Sequence, residues 1–288
     1  MRSFSKLHPT VLFLYFVMSL AAVLSFNNPF ISAFSLFGAV AFSFFVFGRS
    51  ALKRAGFSVF VILFVAVFNF LFAHYGEDVL FTLKDTVFTA EALFYGFNQG
   101  VVLASALLWF SIMGQCLDSE KIIYLFRFMP KTALLFSMIL GFIPRFLKKQ
   151  KEIREARLAL NAGKSPEGVK NKLSAALGDL SALTSYALEG SIITADSMNA
   201  RAYNPSVIRK GRYKYKSEDI AVLTISLLLF GFVLFQKIIG NLSFVFEPKI
   251  YIARLSVPAA VCFFVFALIP SINDLTENVR WMLYRSGA

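Results

Sequence analysis

Six apolar runs dominate the chain, at about 9–26, 29–48, 57–74, 92–113, 219–237 and 251–270. A helix needs about 20 mainly apolar residues to cross the hydrocarbon core of a bilayer, with about 17 as the lower limit. Runs of this length predict an all-α, polytopic membrane protein with about six transmembrane helices. Composition agrees: 57% of the residues are hydrophobic, 35 are phenylalanine and only 16% are charged. A soluble domain carries about 25% charge. Lipid contact must replace the missing polar surface. Arg2 and Lys6 before the first run resemble the start of a signal peptide, but no small-x-small cleavage site stands out. A second run follows at once, so the first is read as a membrane helix.

The charges between the runs orient them. Arg2 and Lys6 precede the first run, and Arg49, Lys53 and Arg54 lie between the second and third. Lys and Arg crowd 114–218, and Arg280 and Arg285 lie in the tail. The link around 26–29 is uncharged, and the one around 75–91 has Glu77, Asp78, Asp85 and Glu91 against Lys84. Lys237, Lys249 and Arg254 flank the last short loop as a mild exception. Because cytoplasmic loops carry the excess of Lys and Arg, both termini and 114–218 are expected in the cytoplasm of a multi-pass membrane protein. The net charge of +12 is then a property of these loops.

Three regions follow: N-terminal membrane helices 1–113, a cytoplasmic region 114–218, and C-terminal membrane helices 219–288. Within the middle region, 122–146 is apolar but interrupted by Arg127, Pro130, Lys131, Pro144 and Arg145, too broken to span. An interfacial helix is expected there, with charged heads snorkelling. After Pro144 a charged helical pattern runs to Gly163, and "KSPEG" (164–168) is a turn. Leu173, Ala176, Leu177, Leu180, Leu183, Ala187 and Leu188 follow a helical stripe, read as ordinary packing. The pattern continues through 189–203 and Pro205 ends it. Two amphipathic helices thus end near 160 and near 201 in small residues. Arginine at such a tip is a planar, permanently charged fork suited to a carboxylate. The plain alternative for Arg201 is a solvated arginine at a helix C-terminus.

Several chemistries are missing. There is no G-x-x-x-x-G-K-[ST], no H-E-x-x-H and no G-x-S-x-G, and His8 and His74 are the only histidines. Cys116 and Cys262 have no paired spacing, so no disulfide framework or metal site is expected. No ionisable residue lies mid-run, as an ion-coupled carrier would often need. The basic stretch Arg209, Lys210, Arg212, Lys214 and Lys216 fits anionic lipid better than nucleic acid. The chain reads as non-catalytic, binding no cofactor or metal itself and driven by others.

Three stretches carry a resemblance. "NFLFAHYG" (69–76), "LFRFMP" with "SMILGFIPRF" (125–130 and 137–146), and "ITADSMNARAY" (193–203) are similar, in order and spacing, to segments of the transmembrane T component of energy-coupling-factor transporters. That family's T component is a membrane scaffold joining two cytoplasmic ABC ATPases to a substrate-binding membrane protein, the S component. ATP and Mg belong to the ATPases. Two coupling helices end in Ala-Arg-Gly-like motifs that dock on them. The resemblance implies that Ala200, Arg201 and Ala202 form the second coupling motif, with Ala202 in place of glycine. It places the first at Ala159, Leu160 and Asn161, where the arginine is missing and Arg157 could serve instead, or the contact could rest on shape. Asn69, His74, Gly76, Pro144 and Arg145 match the family's structural positions. Asn69 and His74 read either as polar residues at the outer interface or as contributors to the bundle or to S-component contact. The transported substrate would be a vitamin, cobalt or nickel.

Two other readings compete. "EARLALNAG" (155–163) shares the Glu-Ala opening and later glycine of the cytoplasmic loop of conventional ABC importer permeases, but two tips argue against it. An intramembrane enzyme on a lipid-linked substrate would need an acid/base or metal cluster at the interface.

Overall fold

Residues 4–73, 79–83, 86–126, 129–160, 168–203, 213–242, 244–245, 251–252 and 256–286 are described by a computed structural model. They form a short 3-10 turn (Phe4–Lys6), α1 (Pro9–Ser25), α2 (Pro29–Phe47), α3 (Ser50–Phe72), β1 (Val79–Leu83), β2 (Thr86–Thr89), α4 (Ala90–Cys116), α5 (Ser119–Leu125), α6 (Pro130–Leu160), α7 (Val169–Ala200), α8 (Ser217–Ile238), β3 (Phe244–Val245), β4 (Tyr251–Ile252) and α9 (Val257–Ser286). The protein is helical, with two small antiparallel hairpins, β1–β2 and β3–β4. It divides into two compact units, Met1–Lys121 with Arg212–Ala288, and Ile122–Gly211.

In the first unit, α2, α3, α4, α8 and α9 as far as Arg280 are long and apolar enough to cross a membrane. The expected first span, α1, is apolar but only 17 residues long. Local sequence sets the helix starts. Prolines open α1 and α2, where a missing amide is harmless. The side chains of His8 and Asn28 accept from Thr10 N and Phe30 N at the two N-termini. The last expected span, 251–270, is shifted: β4 occupies Tyr251–Ile252, and α9 begins at Val257 with Pro258 in its first turn. The link between α3 and α4, expected as a loop, contains the β1–β2 hairpin. Its acidic residue Glu91 is not a loop residue but lies in α4, 1% exposed.

The core is aromatic. Phe4, Tyr15, Phe16, Phe42, Trp109, Phe263 and Phe266 are all buried and come from the N-terminal turn, α1, α2, α4 and α9. Their rings meet mostly edge to face, as with Phe4 and Tyr15 at 5.4 Å between centroids. The buried indole of Trp109 donates to Ser35 Oγ at 3.0 Å. Pro270 sits inside α9 and has no amide to offer the carbonyl of Phe266, four residues earlier. The buried Tyr15 hydroxyl donates to that carbonyl at 3.0 Å and so replaces the lost helical bond from a neighbouring helix.

Helix pairing rests on small residues. A Cβ on Gly96 would stand 2.6 Å from Asn69 Cβ, and one on Gly100 would stand 2.8 Å from the Ile62 carbonyl oxygen. Gly96 and Gly100 thus form a G-x-x-x-G face that lets α3 and α4 touch backbone to backbone. Gly38 of α2 meets Ala267 of α9 in the same way, at 2.7 Å. The opposite face of α3 is a ladder of exposed phenylalanines, with Phe60, Phe64, Phe68 and Phe72 stacked in succession.

The N-terminus is fastened by buried polar groups. Asp274 Oδ1 accepts from Phe4 N at 2.6 Å, and Asp219 accepts from His8 N at 3.0 Å and from Lys216 N at 2.8 Å. The Lys121 ammonium donates to the carbonyls of Ser5 and Cys116 at 2.5 and 2.6 Å. Burial pulls the Lys121 amine below its usual range, against the raising effect of Asp118.

Candidate functional site: the α6–α7 hairpin

The second unit is built on α6 and α7. The interrupted apolar stretch and the charged pattern after Pro144 belong to one helix: α6 runs through Pro144 from Pro130 to Leu160. Pro130 is its first residue, where proline is tolerated, and Pro144 removes one interior bond from a helix long enough to continue without it. Pro144 and Arg145 are exposed, and the Arg145 guanidinium lies 6.0 Å from the Phe142 ring centre. The stripe on α7 is packed only in part. It was expected to be packed, yet α7 has no buried residue. Leu173, Leu177, Leu180, Leu188 and Ile192 are each 58–62% exposed. The rest of the stripe turns toward α6: Leu183 and Ala187 are half-buried, and Ala176, Leu180 and Leu183 line the cleft between the two helices.

The two helices run antiparallel. Arg157 Nη2 meets Asp179 Oδ2 at 2.9 Å, and Tyr186 packs edge-on to Phe146 with the Lys149 ammonium 5.2 Å from its ring centre. Arg157 is therefore engaged inside the hairpin, three residues before the end of α6. Its Nε and Nη1 are shut from solvent and have no acceptor among the described residues. Beside this pair, a cavity of about 660 Å³ opens between the helices, with Lys151, Arg154, Arg157, Lys172 and Asp179 in its walls.

Antiparallel pairing sends the two helix ends in opposite directions. Ala200 lies 21 residues beyond Asp179 on α7, about 30 Å along the axis at 1.5 Å per residue, whereas α6 ends three residues after Arg157. Ala159 and Leu160 finish α6 fully in the open, with Leu160 87% exposed, and Asn161 lies outside the described residues.

The end of α7 is well formed. Arg201 is the C-cap, Ala202 N donates to Asn199 O at 2.9 Å, and Tyr203 N donates to Met198 O at 3.1 Å. These two bonds define a Schellman motif, which turns the chain through a left-handed residue. That residue is Ala202, with φ +51°, the one non-glycine with positive φ among the described residues. Glycine is favoured at such a position because it has no Cβ to strain. The tip thus presents Arg201, exposed, between Ala200 and a tightly turned Ala202.

The remaining sequence-selected residues fall elsewhere. Asn69 lies at the end of α3, where its carbonyl accepts from Ala73 N at 2.8 Å and its Cβ faces Gly96. His74 and Gly76 lie outside the described residues. The sequence reading missed the Gly96/Gly100 face, although its spacing was visible, and the Arg157–Asp179 pair, whose partners are 22 residues apart. Among the described residues, no group of three or more His, Cys, Asp or Glu could hold a metal ion. No family model and no curated protein matches the chain.

Proposed function

We propose that the chain is the membrane scaffold subunit of an energy-coupling-factor-type ABC importer. In this reading six helices cross the cell membrane of a bacterium or archaeon, α1 among them, with both termini and the α6–α7 unit in the cytoplasm. Two partner ATPases bind ATP and Mg and dock on the ends of the hairpin. An S component carries the vitamin or metal ion and packs against the membrane helices or the exposed leucines of α7. Closure of the ATPases moves the hairpin ends, and that motion biases the membrane assembly between two states through contacts that differ between them.

The observation that carries the reading is the end of α7: an exposed arginine on a helix cap that is turned by a left-handed residue. The resembled motif has glycine at that residue, which is where a Schellman cap favours glycine. A small tip allows close approach to a partner backbone, and Arg201 supplies a forked cation for an acidic site. Arg157, bound to Asp179, serves in this reading to hold the hairpin together rather than to replace the missing arginine of the first tip.

Arg201→Glu puts a repulsive charge at the tip without touching a buried residue. Losing a desolvated charge pair at an interface costs about 2–5 kcal/mol. The expected result is at least a tenfold weaker association with the ATPase pair, by about 1.4 kcal/mol per factor of ten, and loss of transport. Undiminished association and uptake would overturn the reading.

A further inference from the structure

The cavity between α6 and α7 carries more positive charge than its walls compensate. Asp179 answers Arg157 at 2.9 Å, and Glu155 sits 3.9 Å from Lys151. No carboxylate lies within ion-pair distance of Arg154 or Lys172 among the described residues. Both line the cavity. Arg157 adds a fixed positive charge behind them, with its Nε and Nη1 shut from solvent. The volume, about 660 Å³, lies in the range of small-ligand sites. Leu158 and Leu183 supply apolar wall beside the cations.

We infer that this cleft binds a phosphate group, held by Arg154 and Lys172 with Arg157 behind them. Phosphate fits better than a single carboxylate for two reasons. A phosphomonoester carries about −1.5 to −2 charges near neutral pH, which matches two uncompensated cations. It also offers three acceptor oxygens to donors that converge from two helices. The phosphate could be free or be the headgroup of an anionic lipid whose glycerol and first methylenes lie on the leucines. The inference rests on the hairpin alone and does not depend on the coupling reading.

The test is hydrogen exchange of the full chain in nanodiscs, followed at the amides of 147–158 and 172–183. One arm adds inorganic phosphate to phosphatidylcholine discs at constant ionic strength. The other replaces part of the phosphatidylcholine with phosphatidate. Slower exchange in these two segments is expected in one arm, which identifies the source, and it should be lost in R154Q/K172Q. Both positions are exposed, so the ligand-free exchange pattern of the variant should match the wild type. If the double variant does not fold, R154Q and K172Q are read singly. No protection in either arm, or equal protection in the variants, would overturn the proposal.

Discussion

Ala202 shows what one side chain can do to a helix end. An L-residue in the left-handed region is disfavoured by roughly 1–2 kcal/mol relative to its right-handed form, whereas glycine is not. Ala202→Gly relieves that strain but gives back some chain entropy in the open state. The expected net is about 0.5–1 kcal/mol of added stability for the cap, or roughly two- to fivefold slower exchange of the amides that close it, Ala202 and Tyr203. Faster exchange would mean that the alanine fits better than its φ implies. The motif was legible in sequence as arginine between small residues before Asn204 and Pro205. Its strain was not, because a positive φ is a property of the backbone and alanine gives no sign of it.

At the scale of elements, α3 explains why span positions were legible and span contacts were not. Its apolar residues go all the way round: Val61, Ile62 and Ala66 are buried, while Phe60, Phe64 and Phe68 are exposed. A soluble helix would betray its buried face by polarity, but lipid is as apolar as a core, so hydropathy gives the length of a span and not its orientation. Small residues decide the contact instead. Gly100→Ala would place a methyl group 2.8 Å from the Ile62 carbonyl oxygen and 2.9 Å from its Cα, and backbone cannot step aside. Forcing extra volume into such a contact costs about 1–3 kcal/mol, read as a lower unfolding midpoint in detergent. Gly114→Ala, with nothing within 4 Å of the new methyl, should be neutral or slightly stabilising. Equal behaviour of the two variants would remove the close approach as the basis of α3–α4 pairing. The α6–α7 hairpin was half legible in the same sense. Its two helices follow from pattern, and the expected turn at 164–168 lies, but for Gly168, outside the described residues; the choice of Asp179 as partner for Arg157 depends on how the two helices cross.

Across the whole molecule, the chain leaves its membrane unit at Lys121 and re-enters it at Arg212, so the unit is closed by contacts between its first and last thirds. His8 is one such closure. Its ring stacks on Tyr215 at 3.8 Å, faces Tyr213 edge-on, and sits where Asp219 fixes the backbone. Burial holds the imidazole below its usual 6.5, and the Asp219 carboxylate offsets this only in part. The folded protein therefore binds fewer protons at this site than the unfolded chain. Stability from His8 is complete above about pH 6.5 and is lost as the pH falls below it. The unfolding midpoint should drop between pH 7.5 and pH 5.5, and His8→Asn, which keeps a capping side chain, should flatten that drop. An equal drop in the variant would assign the pH response to other groups. No sequence pattern announces this closure, since it joins residues 8 and 219 across the whole α6–α7 insertion. That insertion has a property of its own. Because its two ends face apart and one is carried about 30 Å beyond the Arg157–Asp179 clasp, the hairpin behaves as a ruler. Adding or removing one turn of α7 beyond Tyr186 would shift its far end by about 5.4 Å and leave the Arg157–Asp179 and Phe146–Tyr186 contacts in place. Whatever grips both ends must be built to that length, so a change on either side has to be matched on the other.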